Sequence, residues 1–144
     1  MTGPGLERFV RAQQSAWPDA LDELQTGAKR GHWMWFVFPQ IAGLGLSETA
    51  RFYAIDGLAE AQAYLEHPLL GPRLAEATRA LLLHVGRSPE AILGSTDALK
   101  LRSSLTLFEA AGGDPVFGEA LDAFYGGQRD PLTLAILERQ GARS

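Results

Sequence analysis

Three times the chain sets a side-chain acceptor directly ahead of a proline at the edge of an apolar run: "SPEAIL" from Ser88, "DPVFGEALDAFYGG" from Asp114 and "DPLTLAILERQG" from Asp130. Proline lacks a backbone N–H, so it fits the first turn of a helix, where those groups have no intrahelical partner in any case. The Ser or Asp before it accepts from the N–H groups that remain. Each pair therefore marks a helix start. Gly126 and Gly141 stand where two of these helices would end, in the left-handed cap conformation that glycine adopts without strain.

The same signals place helices at about 5 to 14, 18 to 29, 47 to 54, 57 to 66, 68 to 85, 89 to 93 and 96 to 111, besides those after Asp114 and Asp130. Between 68 and 85, Leu70, Leu74, Ala77, Leu81 and His84/Val85 recur every three or four residues, the spacing of one buried stripe. Only "HWMWFVF", 32 to 38, alternates with period two, Trp33, Trp35 and Val37 against His32, Met34, Phe36 and Phe38. It has no second strand to pair with, so it is expected to form a buried helical turn or an extended connector. The expected fold is all-α: a compact single domain of seven to nine short helices, occupying residues 1–144, with "PQIAGLGL", 39 to 46, as its longer break.

Length and composition agree with this. At 144 residues and 46% hydrophobic content the chain has material for one core. Its net charge of −4 is scattered rather than blocked, which argues against nucleic acid as the main partner and against attraction to an anionic membrane. Without cysteine there is no disulfide or thiolate chemistry, which suits a reducing compartment. Charges at Glu7, Arg8 and Arg11 interrupt the N-terminal apolar pattern of a secretory leader. No apolar run approaches the roughly 20 residues of a membrane span. A cytoplasmic, soluble protein is expected; the sequence leaves its oligomeric state open.

The aromatic block ends at Pro39-Gln40 and is followed by Gly43 and Gly45. Its rings can serve as core. Alternatively, Trp33 or Trp35 lines a cleft beside Gln40, whose amide both donates and accepts, while the glycines let backbone approach a ligand. A second candidate is the helix "TDALKLRSSLTLFEA", where Asp97, Lys100 and Ser104 share a side with Leu101, Leu105 and Phe108. The ordinary reading is an exposed ion pair between Asp97 and Lys100. Against it stands scarcity: eleven arginines accompany only two lysines, Lys29 and Lys100, so a surviving lysine suggests a task for a compact ammonium. Ser103, Ser104 and Thr106 crowd three hydroxyls into a helix that gains nothing from them in propensity.

His32, His67 and His84 have no spacing suited to metal ligation, so no metal or cofactor site is expected. His67, just before Pro68, reads as a helix end that hydrogen-bonds a free carbonyl, with acid or base work as its functional alternative. Tyr125 and Arg129, in "FYGGQRDPLTL", belong to a cap-to-cap connection and could also reach a ligand.

In order and spacing, "WFVFPQ", "YLEHPLLGPRL", "DALKLRSSLTLF" and "FYGGQRDPLTL" resemble the bacterial and fungal family catalogued as domain of unknown function 1810, sometimes labelled "calpastatin". The resemblance runs from about Leu6 to Leu137. It implies a small helical fold and no established reaction. The family's motif positions fall on Trp35, Phe38, Pro39, Gln40, His67, Pro68, Asp97, Lys100, Ser103, Ser104, Gly127 and Asp130. A looser similarity is to ADP-ribose-processing domains of the NADAR type.

The expectation for function is a domain that binds or hydrolyses a small nucleotide-like or ADP-ribose-like molecule. Trp33 or Trp35 would stack on a ring, Gln40, Ser103 and Ser104 would contact the ligand, and Asp97, Lys100 and His67 would carry any catalysis. The alternative is a non-enzymatic protein-interaction module.

Overall fold

The structure, a computed structural model, describes residues 5–143. Nine helices follow one another among them: α1 (Glu7–Thr26), α2 (Met34–Val37), α3 (Glu48–Phe52), α4 (Leu58–Glu66), α5 (Leu70–Leu82), α6 (Pro89–Leu93), α7 (Ser95–Ala110), α8 (Val116–Tyr125) and α9 (Pro131–Arg143). The fold is all-α and packs as a compact single domain. β pairing among the described residues amounts to one parallel bridge, Ile41 with Ile55. Among the described residues no helix is long and apolar enough to cross a membrane.

Proline punctuation acts as its chemistry requires. Ser88 Oγ accepts from the Ala91 N–H at 3.1 Å, and Asp130 Oδ2 accepts from that of Thr133 at 3.1 Å. Asp114 Oδ1 accepts from Val116 N–H at 2.9 Å, with Pro115 one position earlier than expected. Gly126 closes α8 at φ 61°.

Two expectations need correction. The two helices placed at 5 to 14 and 18 to 29 are one, because Pro18 and Gln14, whose carbonyl loses its partner, both lie on the solvent face. On the other face Phe9, Trp17, Ala20 and Leu24 are buried, and each large side chain gained there is worth about 1.5–3 kcal/mol, together more than the ~3 kcal/mol of an interior proline. Gly141 does not end α9, which continues to Arg143. The 32 to 38 stretch, by contrast, takes the first of its two expected forms, a helical turn, α2, with Met34 and Val37 buried.

α7 is the central element, packed by α4, α6, α8 and α9. Ala98, Leu101 and Ser103 through Phe108 are all buried, so the second half of the helix is enclosed while its first half keeps an open side at Leu99. Rings carry the core across elements: Phe9 meets Tyr64 edge-on at 5.1 Å, Tyr64 lies 5.2 Å from Phe108, and Phe108 lies 6.2 Å from Phe117. Outside the core, Arg8 donates to the carbonyls of Phe52 and Ala54, both at 2.7 Å, tying α1 to the chain between α3 and α4.

Candidate functional site

The segment after α2 leaves helical geometry at Phe38-Pro39, and its course is set by two hydrogen bonds. Ile55 N–H donates to Gln40 O, and Ala42 N–H donates to Ile55 O, each at 2.8 Å. That pairing holds residues 40–45 as a wall facing the first half of α7. Between them is a cavity of about 350 Å³, lined by Gln40, Leu44 and Gly45 on one side and by Thr96, Leu99, Lys100, Arg102 and Ser103 of α7 on the other; Asp130 and Leu132 at the start of α9 complete it. The size falls near the lower end of the range for small-molecule pockets, about 300–1,000 Å³. Gln40's side-chain amide has no hydrogen bond among the described residues. The rim is apolar, with Leu99 66% and Leu132 63% exposed.

The hydroxyls of α7 turn out to organise Asp130. Thr106 Oγ1 accepts from the Asp130 N–H at 2.9 Å while donating to Arg102 O at 2.8 Å. Ser103 Oγ lies 3.0 Å from Asp130 Oδ2 and 3.2 Å from Leu99 O, and the carboxylate is the stronger acceptor for its single proton. The same Oδ2 accepts from Thr133 Oγ1 at 2.5 Å. Asp130 thus caps α9 and faces the cavity from one fixed position.

The loop before it is clamped from two directions. Arg102 donates to the carbonyls of Gln128 and Arg129 at 2.9 and 2.8 Å. Arg129 grips Glu109 with two bonds of 2.8 and 2.5 Å and reaches Asp122 at 3.0 Å. Its hydrogen bonds hold the Glu109 carboxyl below its ordinary range, against the effect of burial. Arg129 is consequently committed to the scaffold. So is Tyr125, whose hydroxyl donates to Ala98 O at 2.6 Å and is pushed up in pKa by burial. Neither lines the cavity.

The structure brings Gln40, Lys100 and Ser103 together on the cavity wall. Asp97 stands behind them, with Lys29 Nζ 2.8 Å from Oδ2 and Lys100 Nζ 3.6 Å from Oδ1. Lys100 Nζ also lies 4.7 Å from the centre of the Trp35 ring, so the indole face that was to hold a ligand holds an ammonium. Trp33 is core, 3% exposed, with its indole N–H donated to Glu23 Oε1 at 2.9 Å. That Glu23 oxygen also takes the N–H groups of Arg30 and Gly31.

His67 is elsewhere. Its Nδ1 accepts from the N–H groups of Leu69 and Leu70 at 3.1 and 3.3 Å, so it caps the start of α5 rather than bonding a carbonyl at the end of α4. Ser104 is fully buried in α7, away from the cavity, and its Oγ has no hydrogen-bond partner. Gly45 is small for packing: a Cβ there would sit 2.4 Å from that of Ala50. Gly43 does not reach the cavity. Among the described residues no three His, Asp or Glu side chains gather as metal ligands.

Thr96, Arg102, Asp130 and the leucines are cavity residues that sequence reasoning did not single out as such. The only signal was the Asp130-Pro131 pair, which announces a cap and is silent on the carboxylate's second oxygen.

A small helical domain with a cavity between a bridged loop and a central helix is the class of protein that these features define. The chain belongs to the family described as "Protein of unknown function (DUF1810)", whose model matches residues 4–137. Its structure is similar to that titled "Crystal structure of the conserved hypothetical protein Rv1873 from Mycobacterium tuberculosis", with a TM-score of 0.90 and 51% identity over 92% of this chain and 96% of that one. No curated protein matches significantly. The looser likeness to NADAR-type domains has no support from these matches.

Proposed function

We propose that this protein binds a small nucleotide-like molecule in the cavity between residues 40–45 and α7. The observation that carries the reading is Gln40: a side-chain amide with no partner of its own, on the wall of a cavity that also presents the Lys100 ammonium and the Asp130 carboxylate. Leu44, Leu99 and Leu132 offer apolar surface to a flat ring. Lys100 meets a phosphate or other anion, and Gln40 reads a polar edge. The reading is of binding rather than hydrolysis, since Asp97 is occupied by two lysines and His67 lies elsewhere. The size of the cavity favours a single nucleotide unit over a whole ADP-ribose.

The test is a panel of mononucleotides, NAD and ADP-ribose read by thermal shift and by tryptophan fluorescence, since Trp35 lies against Lys100. Binding of a mononucleotide, weakened at least tenfold by Lys100→Ala, is expected. No response at millimolar ligand would sink the reading. A second reading, a protein-interaction face, draws on the exposed Leu46, Leu99 and Leu132. Light scattering that reports a monomer at all concentrations would count against self-association through it.

A further inference from the structure

One oxygen of Asp130 is fully used and the other is not. Oδ2 serves Ser103 Oγ, Thr133 Oγ1 and the Thr133 N–H, whereas Oδ1 has no hydrogen bond among the described residues. Among the described residues no Lys or Arg pairs with this carboxylate. The residue is only 9% exposed. Among the described residues, Ser104 Oγ alone is sealed from solvent without a partner, so Oδ1 reaches open space. The open space beside Asp130 is the cavity. Its orientation is not adjustable: three donors fix Oδ2, and the backbone N–H is held by Thr106. A rigid, largely desolvated acceptor with an empty lone-pair side discriminates strongly, because a ligand without a donor there leaves it unsatisfied.

We propose that Asp130 makes the cavity selective for nucleobases that present an amino group. The amino N–H donates to Oδ1, while the ring packs between Leu44, Leu99 and Leu132. Asp130 is then the residue that determines specificity, and cytosine- and guanine-bearing mononucleotides are taken over uracil- and hypoxanthine-bearing ones. This inference rests on the proposed nucleotide-like ligand.

The experiment is titration calorimetry of the full chain with two matched pairs, cytidine against uridine monophosphate and guanosine against inosine monophosphate. The amino member of each pair is expected to bind roughly tenfold or more tightly, the size of one good base-edge contact. Asp130→Asn supplies the second arm. Ser103 and Thr133 need an oxygen where Oδ2 stands, so the new amide turns its nitrogen to the cavity and offers a donor. The preference should then vanish or invert toward uridine and inosine. Should Asp130→Asn fail to fold, Asp130→Ser keeps a capping hydroxyl and removes the second acceptor, and its pairs should bind alike. Equal binding within both pairs by the wild-type chain, or an unchanged preference in the folded variants, overturns the role of Asp130 and leaves the ligand class standing. No binding of any mononucleotide overturns both.

Discussion

Lys29 and Lys100, the only lysines of the chain, converge on one carboxylate, that of Asp97. Each ammonium also lies over one tryptophan of the aromatic block, Lys29 at 5.0 Å from Trp33 and Lys100 at 4.7 Å from Trp35. The Lys29 side chain is 9% exposed and that of Lys100 22% exposed. Asp97→Asn leaves the more buried ammonium without its counter-charge and is expected to cost about 2 kcal/mol of stability. Lys100→Met leaves Asp97 still paired and should cost about 1 kcal/mol or less. Urea unfolding measures both, and equal losses would mean that Lys29 gains little from the pair.

The unpartnered Ser104 hydroxyl predicts a gain on removal. A buried polar group without a partner carries a desolvation cost that alanine does not, so Ser104→Ala should raise stability by about 1 kcal/mol. A rise in melting temperature with ligand affinity unchanged is expected. Loss of affinity would instead give Ser104 the ligand role that its spacing in α7 suggested.

Acid should find two weak points. Burial works to raise the Glu23 pKa, but the N–H groups of Gly31, Arg30 and the Trp33 indole, with Lys29 nearby, outweigh it and hold the carboxyl below its ordinary 4.5. Glu109 is held down by Arg129. A carboxyl whose folded pKa is depressed contributes stability in full above its unfolded pKa and loses it as pH falls through the folded value. The melting temperature should therefore drop as pH falls below about 4.5. Glu23→Gln should melt lower at neutral pH and show a shallower acid slope; an unchanged slope would remove Glu23 from the account.

Gly71 sits where α4 and α5 touch, and an added Cβ would lie 2.0 Å from the Leu65 carbonyl oxygen. Backbone on both sides cannot yield cheaply, so Gly71→Ala is expected to destabilise the fold by about 3 kcal/mol. Chemical denaturation gives the number. A neutral result would mean that the two helices shift apart freely.

What was legible in the sequence depended on whether one residue carried one role. Ser88-Pro89 and Asp130-Pro131 each say a single local thing, and both helices start where they should. Lysine scarcity pointed at Lys100 because replacement by arginine was the ordinary alternative, and Lys100 lines the cavity. Pro18 misled because its cost depends on which face it occupies, and that is decided by packing against α2 and α5 rather than by neighbours in sequence. Trp35 misled similarly: its aromatic face attracts a ligand ring and an ammonium alike, and only the fold places Lys100 there. Asp130 was readable as a cap, but its second oxygen gains meaning only when α7 and residues 40–45 close around it.

The bridge between Ile41 and Ile55, both core residues, and the seat of α9 on α7 hold the two walls of the cavity with unequal strength. α9 is secured through Thr133, Ile136 and Leu137, of which Thr133 alone is fully buried, and through Gln140, whose Nε2 donates to Asp56 O at 3.0 Å. Detaching that one terminal helix removes Asp130 and Leu132 while leaving the ring-to-ring packing of Phe9, Tyr64, Phe108 and Phe117 in place. Amide hydrogens of α9 should accordingly exchange long before those of α7. A ligand spanning both walls would slow that exchange, making the last helix a local reporter of occupancy.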